Sequence, residues 1–151
     1  GLIEDRHVSW LPSYGPEMRG GTANCSVCLS DEPIGSPLVL NPDALIAMNQ
    51  PSIDKFAPVV TDGGVIVADI TLIGSVPEAP QATTIQLPAT QMAEDAGFKQ
   101  LANIICAGRL WAETHFCEEE TLFKAMEKCV PARKAQMLEL NKQALHIGMN
   151  A

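Results

Sequence analysis

Two opposite charges sit inside a run of glycines, Ser13-Tyr14-Gly15-Pro16-Glu17-Met18-Arg19-Gly20-Gly21-Thr22. Gly15, Gly20 and Gly21 free the backbone to take positive φ or to let another surface come close. A glycine loop at a strand end is where α/β domains place ligand and partner contacts. A surface turn whose charges are merely solvated explains the same residues equally well. Asn49 and Gln50 close an apolar run just before Pro51. At such a break two amides can bond a ligand or the glycine loop, or they can cap the turn that follows.

The sulfur and imidazole groups carry less. Cys25 and Cys28 form a CxxC, the spacing of a metal half-site or a redox pair. Metal would need a second half-site, and Cys106, Cys117 and Cys129 do not supply one. On a strand, residues three apart face opposite ways, so small buried thiols are the expectation. His7, His115 and His146 are isolated. Glu118-Glu119-Glu120 complements the positive end of a helix. There is no phosphate loop, no GxGxxG, and no thiamine or iron–sulfur cysteine motif. The chain reads as lacking catalytic residues and metal ligands of its own, as a part of something larger.

Positioning those residues falls to an alternation of strands and helices. Residues 7–11 read as a short buried strand stopped by Pro12, and Thr22 to Ser30 as a second strand. Asp31 to Pro37, with two prolines, is a turn. Asn41-Pro42-Asp43 has the signature of a helix start, with a short helix leading on towards Asn49; a buried strand fits the same apolar run. Ser52 would cap a second short helix, Ile53 to Phe56. After the turn at Asp62-Gly63-Gly64, residues 65–70 form the strongest strand, apolar on consecutive positions as in parallel sheets. Thr83 to Pro88 is the last strand. Helices are expected from Thr90 to Ala96, from Lys99 to about Thr114, from Glu118 to Cys129, and from Ala132 to a stop at Gly148. Ala102, Cys106, Ala107, Gly108 and Ala112 make one helix narrow enough for another backbone to approach. Strands among helices, then helices alone, mean α/β.

At 151 residues the chain makes one domain. A net charge of −8 with scattered Lys and Arg argues against nucleic acid. The longest apolar stretch is far too short to span a bilayer, so no membrane partner is expected. Five irregularly spaced cysteines fit reduced thiols in a cytoplasm. The first residue is Gly1, which fits a processed, truncated or partly recorded start.

The 13–25 run, Asp31 to Pro37 and Asn41 to Ser52 together resemble one family, with further likeness at Asp62-Gly63-Gly64, 99–103 and 139–145. The sequence looks like the gamma subunit of 2-oxoacid:ferredoxin oxidoreductases, in the branch acting on 2-oxoglutarate or branched-chain 2-oxoacids. The resemblance implies a fold similar to domain III of pyruvate:ferredoxin oxidoreductase. That is a three-layer α/β/α sandwich with a largely parallel or mixed central sheet and C-terminal helices. It implies a holoenzyme that oxidatively decarboxylates a 2-oxoacid, with coenzyme A as acyl acceptor and ferredoxin as electron acceptor. Thiamine diphosphate, magnesium and iron–sulfur clusters would belong to the alpha, beta and ferredoxin-like delta subunits. Ser13, Tyr14, Gly15, Glu17, Arg19, Gly20, Gly21, Thr22, Asn49 and Gln50 would face those partners or a ligand. The planar fork of Arg19 suits a carboxylate or phosphate there. The family usually opens with a strand, a G-x-G-G-Q-G loop and a helix. Residues 1–151 lack that unit, and Cys28 stands where an apolar residue is usual. Two other readings are a stand-alone module for a nucleotide or coenzyme A-type ligand, and a thiol redox protein built on Cys25 and Cys28.

Overall fold

The computed structural model describes residues 1–14, 23–98, 100–131 and 135–151. In chain order the elements are β1 (His7–Tyr14), β2 (Ala23–Ser30), β3 (Ala44–Ala47), α1 (Gln50–Phe56), β4 (Val65–Asp69), β5 (Thr83–Leu87), α2 (Ala89–Asp95), α3 (Ala102–Thr114), α4 (Glu119–Cys129) and α5 (Ala135–Met149).

β4 is the centre of a parallel sheet ordered β3-β4-β5. Its consecutive apolar residues are explained by cover on both faces. Ile66 and Ala68 join Ala47, Ile53 and Ala57 in one core beneath α1. Val67 turns the other way and joins Leu87, Ala93, Phe98 and Ile105 beneath α2, α3 and α5. The side-chain period of two thus sorts one strand into two cores. The result is the expected order of helix, sheet, helix.

The narrow helix face behaves as its composition predicts. A side chain on Gly108 would run into the Leu145 carbonyl of α5, and one on Gly148 into the Ile105 carbonyl of α3. Gly148 is therefore not a helix stop. α5 continues through it to Met149, and the missing Cβ lets the two backbones touch.

Other expectations are corrected. Residues 44–47 form a strand, not a helix after Asn41-Pro42-Asp43. Ala44 to Ala47 pair with Val65 to Ala68. Asn41 donates to the Val59 carbonyl and the Asp43 carbonyl accepts from Val65, so both serve the sheet. The cap of α1 is Asn49, whose Oδ1 accepts from Ser52 N–H at 2.9 Å; Ser52 itself is already inside the helix. α3 begins at Ala102, after Gln100 takes a left-handed φ of 71°.

The first strand is neither buried nor stopped by Pro12. β1 runs through Pro12 to Tyr14 and pairs with β2 alone, as an antiparallel ribbon separate from the parallel sheet. A two-stranded ribbon leaves one side of each strand unpaired, which tolerates a residue without an N–H.

Candidate functional site at the carboxyl edge of the sheet

All three sheet strands are parallel, so their carboxyl ends share one edge, the edge where open α/β sheets take ligands. Asn49 and Gln50 leave β3 there, Asp69 ends β4, and Pro88 to Thr90 follow β5. Beside them lies an open depression of about 800 Å³, with Met48 and Phe98 giving apolar surface and Thr90, Glu94, Gln100 and Asn103 polar groups.

The two sequence-predicted amides do sit together at this edge. The Gln50 side chain is fully engaged within the chain. Its Nε2 donates to the Ser75 carbonyl at 2.7 Å and to Asp54 at 2.8 Å. Its Oε1 accepts from Gly74 and Ser75 N–H, each at 3.0 Å. Gln50 therefore holds the loop after β4 against the start of α1.

Asp69 was not singled out in the sequence, yet it organises the same edge. It is the one buried charged residue among those described. A buried carboxylate needs donors. It accepts from Thr71 N–H at 3.1 Å, from Thr90 N–H at 3.2 Å and from the Thr90 hydroxyl at 2.6 Å. The Thr71 hydroxyl in turn accepts from Gln91 N–H at 3.2 Å. These bonds bind the turn after β4 to the first turn of α2. The available signal was a single acid closing the apolar run Val65 to Ala68, with a threonine two residues later.

Cys106 lies in the core behind this edge. Burial, and after it the negative charge of Asp69, pushes its thiol up to about 12. It stays protonated at neutral pH and is no nucleophile. The cysteines are free thiols. Cys25 lies opposite Pro12 and Cys28 opposite Ser9, positions that alternate across the ribbon. Among the described residues no three His, Cys, Asp or Glu side chains gather as a metal-binding set. Among the described residues no set of cysteines fits an iron–sulfur cluster.

Ser13 is exposed and faces Asn24 across the ribbon, and Tyr14 ends β1 opposite Ala23. Ser13 does not line the depression. Gly15, Glu17, Arg19, Gly20, Gly21 and Thr22 lie outside the described residues. No helix among the described residues is long and apolar enough to cross a membrane.

The family described as pyruvate ferredoxin/flavodoxin oxidoreductase matches residues 1–151. The chain is 40% identical to a ketoisovalerate oxidoreductase subunit VorA of Methanothermobacter thermautotrophicus, over 96% of this chain and 30% of that protein. It is 35% identical to a 2-oxoglutarate synthase subunit KorC of Methanocaldococcus jannaschii, over 86% of this chain and 71% of that protein. It thus spans under a third of the first relative and most of the second. Its fold is similar to the crystal structure of a keto/oxoacid ferredoxin oxidoreductase gamma subunit from Geobacter sulfurreducens. There the TM-score is 0.79 at 30% identity, covering 99% of this chain and 82% of that one.

Proposed function

The chain belongs to the pyruvate ferredoxin/flavodoxin oxidoreductase family, and from that premise we propose that it serves as the gamma-type part of a 2-oxoacid:ferredoxin oxidoreductase. In that reaction class a 2-oxoacid loses carbon dioxide, its acyl group passes to coenzyme A, and the electrons leave to ferredoxin. Residues 1–151 act as one gamma-type domain. The observation that carries the reading is the family match along all of 1–151, joined by relatives that are themselves oxidoreductase subunits.

The chain's contribution is shape and contact. We assign thiamine diphosphate, magnesium and the iron–sulfur clusters to alpha, beta and ferredoxin-like delta partners; among the described residues no cysteine set fits an iron–sulfur cluster. Ferredoxin is reached through the complex. The substrate is 2-oxoglutarate or a branched-chain 2-oxoacid, in line with the relatives' names. The five free thiols suit a reducing cytoplasm. Ser13 and Tyr14, at the end of β1, together with Gly15, Glu17, Arg19, Gly20, Gly21 and Thr22, face a partner or ligand in this reading, with Arg19 bracing the interface or the coenzyme A path. Asn49 and Gln50 shape the carboxyl edge of the sheet through their bonds to Ser52 and to Gly74 and Ser75.

The test is a pull-down of the full-length protein from its native cell, with visible spectroscopy of the eluate. Co-purified chains with iron–sulfur absorption and bound thiamine diphosphate are expected. A protein recovered alone and colourless contradicts the proposal.

A further inference from the structure

Residues directly opposite in an antiparallel pair point to the same face. Val8, Trp10 and Pro12 of β1 lie opposite Leu29, Val27 and Cys25 of β2. One face of the ribbon is therefore apolar throughout. The other carries Ser9, Leu11, Ser26 and Cys28 and is half-buried. The apolar face is open at its middle, with Trp10 63% and Val27 55% exposed. Gly1 lies over Val8 and Leu29 at one end. Among the described residues, none from 7–13 or 23–30 belongs to either core.

Neither β1 nor β2 contains an Asp, Glu, Lys or Arg, in a chain of net charge −8. Absence of charge around an exposed tryptophan is the composition of an interface centre, not of a solvent face. A face without charge selects an apolar counterpart. Its size narrows the occupant further. Eight residues by two strands give roughly 27 Å by 10 Å, or about 270 Å². A stable contact needs about 800 Å² from each side. Two copies meeting ribbon to ribbon fall well short. A larger partner that continues onto neighbouring surface does not.

We propose that this face docks on an uncharged, apolar surface of a sister subunit of the oxidoreductase, with Trp10 as its anchor. The inference rests on the subunit reading above.

Hydroxyl-radical footprinting of the full-length chain, read by mass spectrometry at Trp10, tests it. Trp10 is labelled freely in the isolated chain and at least five-fold more slowly in the assembled complex. Trp10→Ser and, separately, Val27→Ser lower the yield of co-purified complex several-fold, while the isolated variants keep the wild-type melting temperature. If the complex forms and Trp10 is labelled as fast as before, the docking inference is wrong and the subunit reading stands. Protection in the isolated chain overturns it too: at monomer mass another segment covers the face, at doubled mass a second copy does. If no complex forms at all, the subunit reading fails and takes this inference with it.

Discussion

Asp69 shows how much one side chain can organise. Its carboxylate ties Thr71 and Thr90, and through them the end of β4 to the start of α2. Asp69→Ala leaves buried donors without an acceptor and should cost about 2–3 kcal/mol in urea unfolding; Asp69→Asn, which keeps an acceptor oxygen, should cost less. Gln50 acts on the outer loop. Gln50→Ala should speed amide exchange at Gly74 and Ser75 in hydrogen-exchange measurements, with global stability changed by less than about 1 kcal/mol. Cys106 predicts a pH effect. Its folded pKa, about 12, is raised above the ordinary 9.0. The stability it contributes is complete below the unfolded value and is lost as pH rises from there towards about 12. Stability should fall by up to ~1.4 kcal/mol per pH unit across that window, and Cys106→Ala should flatten the slope. At this scale the sequence was only partly legible. The amides were visible at a proline-limited break. Asp69 was not, because its importance comes from donors on an element 21 positions away.

Elements were legible where pattern alone decides them. Consecutive apolar residues at 65–68 announced a strand covered on both faces, and the small residues of α3 announced a close helix. The pattern failed at 44–47. Asn-Pro-Asp is a good helix start locally, but pairing with Val65 to Ala68 supplies a ladder that a short isolated helix cannot match. It failed again at Gly148, where a glycine that looks like a stop is a packing contact. That contact gives a sharp test. Gly108→Ala drives a methyl group into the α5 backbone at Leu145, with no flexible side chain to yield. A loss of about 2–3 kcal/mol is expected, or roughly 5–10 °C in thermal unfolding for a domain of this size. A melting temperature unchanged by the substitution would show that α3 and α5 do not touch as described.

At the scale of the molecule, the sheet edge and the ribbon belong to a domain of the pyruvate ferredoxin/flavodoxin oxidoreductase family, whose relatives VorA and KorC are named as oxidoreductase and synthase subunits. The missing motifs were legible as absence and the family as likeness in the 13–25 and 41–52 runs. The contacts between chains were not, since they depend on surfaces that other polypeptides provide. Arg19→Ala should lower either the yield of complex or turnover with coenzyme A; no change in either would remove Arg19 from the interface. The most direct measurement concerns the chain's necessity. Delete the full-length protein from its native cell, and assay coenzyme A-dependent reduction of ferredoxin by 2-oxoglutarate and by branched-chain 2-oxoacids. The account predicts loss of one of these activities and its return when the purified protein is added back. Undiminished activity with every one of these 2-oxoacids in the deletion strain, or decarboxylation by this protein alone, would contradict it.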